Sequence, residues 1–140
     1  MKARGMIAAI VAGLLALIVV LPGCGGKPIV GATAQETAEG FARALEAGDL
    51  KAAAEAFDYV TEARSANPDW DDIPSGQRDL IINKLQETKA TSLYSYAQKL
   101  GDDIEVASAQ GGAVTLTGKT GSLHLSLRSV DGKSYIYQVW

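Results

Sequence analysis

The sequence predicts an α+β domain: three helices followed by a four-stranded antiparallel meander, with the helices packed on one face of the sheet. Three observations carry that expectation. The first half of the chain beyond residue 34 has helical periodicity and breaks at Gly48, Pro68, Pro74 and Gly101. The last 37 residues alternate apolar and polar positions between short glycine-bearing turns. Helices first and strands afterwards, rather than interleaved, is the signature of segregated α+β layers.

The first helix starts near Gln35, with Ala38, Phe41, Ala42 and Leu45 on one stripe and Gly48 as its stop. Asp49 is placed to cap a second helix whose stripe is Leu50, Ala53, Ala54, Phe57 and Val60, running to about Ala63. Residues 67–74 (Asn-Pro-Asp-Trp-Asp-Asp-Ile-Pro) form a breaker-rich loop. Ser75 then reads as the cap of a long third helix with stripe Ile82, Leu85, Leu93, Tyr96 and Leu100, flanked by Ile81 and Ala97 and ended by Gly101.

Four strands follow, at 104–109, 113–119, 122–130 and 133–140. Asp131-Gly132 between two alternating runs is a strong hairpin signal. A two-residue turn there sets Leu127 against Ile136, Leu125 against Gln138 and Leu123 against Trp140. A two-residue turn at Thr120-Gly121 sets Leu116 against Leu125 and Val114 against Leu127, and a three-residue turn at 110–112 sets Val106 against Leu116. These registers share one buried face: Ile104, Val106, Val114, Leu116, Leu123, Leu125, Leu127, Ile136 and Trp140. The opposite face collects Thr115, Thr117, Ser122, His124, Ser126, Arg128, Tyr135, Tyr137 and Val139.

Upstream of the domain stand Lys2 and Arg4, an apolar run from Met6 to Leu21, and Leu21-Pro22-Gly23-Cys24, which holds the chain's one cysteine. A basic start, an apolar middle and a small residue before the end describe an export signal rather than part of a fold. The run of 16 residues is short of the ~20 that cross the hydrocarbon layer, though a retained transmembrane anchor and an ordinary secretory signal are the alternatives. This segment resembles the signal peptide of bacterial lipoproteins, with Pro22 standing where that family usually has Ala, Ser or Thr. The resemblance implies cleavage after residue 23 and acylation of Cys24, so that lipid on Cys24 holds the protein to a membrane of the bacterial envelope. Gly25, not Asp, follows Cys24; in Gram-negative lipoproteins that resembles the pattern sent to the periplasmic face of the outer membrane. The organisation expected is thus a signal over 1–23, a flexible tether over 24–34 and one domain over 35–140.

Removing Lys2 and Arg4 with the signal leaves 11 basic and 16 acidic side chains, a net charge of −5, and no basic cluster. That argues against nucleic acid and against a polybasic membrane patch. With no second cysteine, packing alone holds the domain together.

A second resemblance rests on residues 39–53 (Glu-Gly-Phe-Ala-Arg-Ala-Leu-Glu-Ala-Gly-Asp-Leu-Lys-Ala-Ala) and on Asp131-Gly132-Lys133. An aromatic-containing helix, a Gly-Asp break, an Ala-rich second helix and a late Asp-Gly-Lys strand resemble small bacterial lipoproteins of the nuclear-transport-factor-2-like cone fold. The long third helix departs from that pattern, as does the absence of a strand or hairpin between helices two and three. Enzymes of that fold carry proton transfer on a pocket Asp or Glu with a Tyr; here the registers put no acid clearly inside, and Asp58 is the nearest. Relatives of the fold pair through the outer sheet face, so the resemblance implies a homodimer.

The candidate sites follow from these placements. The register aims Gln138 inward, where an amide must pair with a helix group or line a wet pocket; Tyr59, Tyr96 and Trp140 are its expected neighbours. His124, Arg128, Tyr135 and Tyr137 make the outer face a candidate interface, since exposed Tyr and Arg are typical of one. His124 is the lone histidine and has no Ser or Cys nucleophile arranged about it, so no catalytic residue is assigned. Asn67, Asp69, Asp71 and Asp72 lack the spacing, the central Gly and the terminal Glu of a calcium loop, so no metal site and no cofactor are expected. The functional expectation is a non-enzymatic, membrane-anchored binding or interaction module, with a small-ligand carrier or minor enzyme as the alternative.

Overall fold

The structure, a computed structural model, describes residues 28–140. The segment expected to be an export signal, Cys24 and the start of the expected tether lie outside the described residues. The order of elements is α1 (Ala34–Glu46), α2 (Leu50–Ala54), α3 (Tyr59–Ala66), a 3-10 turn (Trp70–Asp72), α4 (Ser75–Leu100), β1 (Glu105–Gln110), β2 (Ala113–Thr117), β3 (Ser122–Val130) and β4 (Lys133–Val139). The strands form one antiparallel sheet in the order β1-β2-β3-β4. The fold is therefore α+β with a four-stranded meander, and its core joins Phe41, Leu45, Leu93 and Leu100 to Val114, Leu116, Leu123, Leu125 and Ile136.

The start of α1 is held by reciprocal capping. Thr33 accepts from the Glu36 amide, and the Glu36 carboxylate accepts from the amide of Thr33. Residues 28–33, read as tether, run along the fold. Gly31 carbonyl accepts from the Ser134 amide at 2.9 Å, and the buried Thr37 hydroxyl donates to Ser134 carbonyl at 2.7 Å while accepting from the Gly31 amide at 3.0 Å. Gly40 permits this close approach: a Cβ there would stand 2.3 Å from the Ile29 carbonyl oxygen.

The expected second helix is two. Its stripe breaks after Ala54, and Phe57 forms a parallel bridge with Ile136: the Asp58 amide donates to Ile136 carbonyl at 3.0 Å, and the Ile136 amide to Ala56 carbonyl at 2.8 Å. Asp58 then caps α3 through the Thr61 amide at 3.1 Å. An aspartate ahead of a new run of helix formers favours the cap geometry over continuation. At α4 the cap position is Pro74, not Ser75, and no side chain caps it.

Two hairpins differ from expectation in ways that conserve the buried face. β2 and β3 are joined by four residues, Gly118–Gly121, so Leu116 pairs with Leu123 and Val114 with Leu125. The extra length serves α4. The Thr120 amide donates to Leu100 carbonyl and its hydroxyl to Lys99 carbonyl, satisfying groups orphaned at the helix end. Between β1 and β2 a two-residue Gly111-Gly112 turn is followed by a bulge between Val106 and Ser108, and the offset of one restores the expected pairing of Val106 with Leu116. The β3–β4 turn is as expected, with Asp131 and Gly132 both at positive φ (51° and 78°) and Leu127 opposite Ile136.

The third difference reverses the end of β4. A bulge lets Tyr137 and Gln138 together span the step from Leu127 to Ser126, so Leu125 faces Val139 and His124 faces Trp140. Val139, expected outside, packs against the core; Gln138 and Trp140, expected inside, are exposed. The chemistry favours this register, because it buries a valine and leaves an amide and an indole N–H in water.

Candidate functional site

The outer sheet face gathers polar and aromatic side chains, some exposed and some half-buried. On β3 stand His124, Ser126 and Arg128; on β4 and just beyond it, Tyr135, Tyr137, Gln138 and Trp140. Tyr137 and Trp140 are 49% and 55% exposed, large values for rings in and next to a strand. They are held in place by neighbours. The His124 and Trp140 rings lie 6.3 Å apart at 30°, and His124 Nδ1 is 3.1 Å from the Thr115 hydroxyl. The Arg128 guanidinium sits 4.8 Å from the centre of the Tyr137 ring, a cation–π contact.

Arg128 is also the cation of an ion pair. Its Nε donates to Asp58 Oδ2 at 2.7 Å, and Asp58 is almost wholly buried. Burial alone would push the Asp58 carboxyl up. Hydrogen bonds from the Thr61 side chain and amide, with the hydrogen bond and charge of Arg128, outweigh that and hold it below its ordinary value. This carboxylate is therefore an ionised structural anchor rather than a general acid.

A cleft of about 350 Å³ opens beside this pair, between the β3–β4 turn, the start of α3 and the middle of α4. Its apolar wall is Phe57, Tyr59, Val60, Ile82, Val130 and Tyr135; Gln86, Glu55, Asp58 and Asp131 supply its polar groups. Phe57 meets Phe41 edge-on at 5.7 Å and receives the Lys89 ammonium 4.8 Å from its ring centre. The Tyr59 hydroxyl donates to Ala54 carbonyl, and its acidity is suppressed by burial first and then by the negative charges of Glu62 and Glu55.

Of the four residues expected to share a pocket, only Tyr59 lines this cleft. Tyr96 packs half-buried at the margin of the core, and Gln138 and Trp140 are exposed and do not line the cleft. The four interface residues, in contrast, do come together: His124, Arg128, Tyr135 and Tyr137 share one face. The acidic loop is dispersed, with Asp71 paired to Arg64 at 3.2 Å. The Asp58–Arg128 pair was missed from the sequence. Its signal was an aspartate inside an otherwise helical stripe, three residues before Thr61.

Among the described residues every buried side-chain nitrogen or oxygen has a hydrogen-bond partner, and no helix is long and apolar enough to cross a membrane. Compared with known proteins, the chain matches no family model, no curated protein and no solved structure.

Proposed function

We propose that this chain is a bacterial envelope lipoprotein, held to the membrane by acyl groups on Cys24, and that its domain is a non-enzymatic module binding a protein partner through the outer sheet face. The observation that carries the binding half is the aromatic outer face: Tyr137 and Trp140 stand exposed on it, with Arg128 stacked against Tyr137. Large rings pre-ordered by neighbours lose little entropy when a partner covers them, which is why Tyr, Trp and Arg dominate interface energetics. The β4 bulge strengthens this reading, since it adds Gln138 and Trp140 to a surface that already held Tyr135 and Tyr137.

The anchoring half is motivated by Leu21-Pro22-Gly23-Cys24 after an apolar run. The contacts of Ile29 and Gly31 with the fold leave few residues between Cys24 and the domain. The helices are read as lying together on the inner face, in keeping with the cone-like lipoproteins that the helical half resembles. A second copy of the chain is one partner this face would suit.

The test is fractionation of cells making the wild-type chain or Cys24→Ala. The wild type should sediment with membranes and carry a mass equal to residues 24–140 plus acyl groups. The variant should lose the acyl mass and leave the lipid-anchored pool. Acyl-free wild type would overturn lipidation: with the apolar run uncut it would indicate a transmembrane anchor, and with the run removed an ordinary secretory signal.

A further inference from the structure

The cleft beside Asp58 adjoins the aromatic face at Tyr135, and its own chemistry selects a ligand. Its walls are rings and aliphatic side chains, and no lysine or arginine lines it. Three carboxylates do: Glu55, Asp58 and Asp131. Arg128 takes up Asp58, whereas Glu55 and Asp131 have no ion-pair partner among the described residues. The negative field of Glu55 reaches the wall itself, where it adds to the suppression of Tyr59 ionisation. The aromatic wall already meets a cation within the molecule, because the Lys89 ammonium lies over Phe57.

Aromatic faces attract cations through the ring quadrupole, and the exposed carboxylates of Glu55 and Asp131 add a solvent-screened attraction at the mouth. An apolar ligand without charge would gain nothing from Glu55 and Asp131, and an anion would be disfavoured by them. We infer that this cleft is a binding site for a small organic cation with an apolar body, an alkylammonium compound of the size of a trimethylammonium group and a short chain. Its methyl groups would contact Val60, Ile82 and Tyr135, with Glu55 and Asp131 across from its charge. A free alkylammonium fits the two carboxylates left unpaired among the described residues, Glu55 and Asp131, better than a phosphate-bearing lipid headgroup with the same cation. The inference stands apart from the proposed anchor and partner, so the failure of either leaves the other intact.

The experiment is methyl NMR of the full chain in mild detergent. Choline chloride is titrated while the methyl signals of Val60, Ile82 and Val130 are followed, with Val106 at the far edge of the sheet as control. Choline should give saturable shifts at the three cleft residues alone, with Kd of about 1 mM, the scale of a small ligand with few contacts. The neutral isostere 3,3-dimethyl-1-butanol and the zwitterion phosphocholine should each bind about tenfold more weakly. Glu55→Gln and Asp131→Asn should each weaken choline about two- to fivefold, as expected for exposed charges. Both variants keep size and hydrogen bonding, and Asn tolerates the positive φ of residue 131. Shifts that stay linear, that appear equally at Val106, or that the neutral isostere or phosphocholine reproduces at the same concentration would overturn the assignment.

Discussion

Arg128 Nε donates to Asp58 Oδ2 across 2.7 Å, tying the middle of the sheet to the residue that begins α3. One carboxylate thereby serves two elements, since Asp58 Oδ1 accepts from the Thr61 amide at the helix start. The Arg128 side chain is two-fifths exposed, so water screens part of the attraction. Arg128→Ala should cost about 1–2 kcal/mol, between the values for exposed and buried pairs. Asp58→Ala should cost roughly 1 kcal/mol more, because the cap is lost as well. Urea denaturation checks both; an Arg128→Ala midpoint equal to that of the wild type would show that the pair contributes nothing.

The same pair fixes a pH dependence. The folded state holds the Asp58 carboxyl below its ordinary value of 3.8. A depressed carboxyl contributes stability that is complete above the unfolded value and is lost as pH falls through the folded one. The stability difference between wild type and Asp58→Asn should be level from pH 7 to about pH 5 and shrink below about pH 4. A difference that grows on acidification would contradict the charge state assigned here.

Tyr59 acts at the other end of the scale. Burial and the nearby carboxylates push its hydroxyl up, so the unfolded chain ionises first as pH rises. Stability that Tyr59 supplies is complete below pH 10 and declines above it. Tyr59→Phe should flatten the alkaline limb of a thermal-unfolding profile while losing about 1 kcal/mol at pH 7, the value of its bond to Ala54.

The strap of residues 28–33 rests on two small contacts. Gly40→Ala improves helix propensity by up to about 1 kcal/mol, but its Cβ would meet backbone atoms of Ile29 at 2.3–3.0 Å. Overpacking of that kind costs about 1–3 kcal/mol, so the clash should win. Thr37→Val strands the Gly31 amide and removes a donor from Ser134 carbonyl. Hydrogen exchange by mass spectrometry should show residues 28–33 losing protection in both variants while β2 and β3 keep theirs.

The two tryptophans report the reversed end of β4. Trp70 is 3% exposed, whereas Trp140 lies open beside His124. In Trp70→Phe the remaining emission should be readily quenched by acrylamide, and in Trp140→Phe it should be shielded. Equal shielding in both would restore Trp140 to the core.

Much of this fold was legible because its signals are local. Asp131-Gly132 demands positive φ at both positions, so the last hairpin could be read from two residues. What escaped depends on partners distant in the chain. The β2–β3 loop is four residues long because it closes the end of α4, and no pattern within 118–121 states that. The bulge at Tyr137-Gln138 answers a choice between burying Gln138 or Val139, which strict alternation conceals. The second helix breaks because Phe57 pairs with Ile136, 79 positions away, although Asp58 carried a cap signal. For the site, strand alternation about the Asp131-Gly132 turn put Tyr135, Tyr137, Arg128 and His124 on a shared face, and their composition marked it as an interface. The cleft had no such signal, since its walls come from α3, α4 and the β3–β4 turn.

The central claim is that the aromatic sheet face meets a protein partner at the membrane, and site-specific photocrosslinking in the native envelope tests it most directly. A photoreactive residue at position 137 should give one discrete adduct in the membrane fraction. The same residue at Leu80, which is 68% exposed on α4, should not give it. No adduct from position 137, or the same adduct from both positions, would contradict the account.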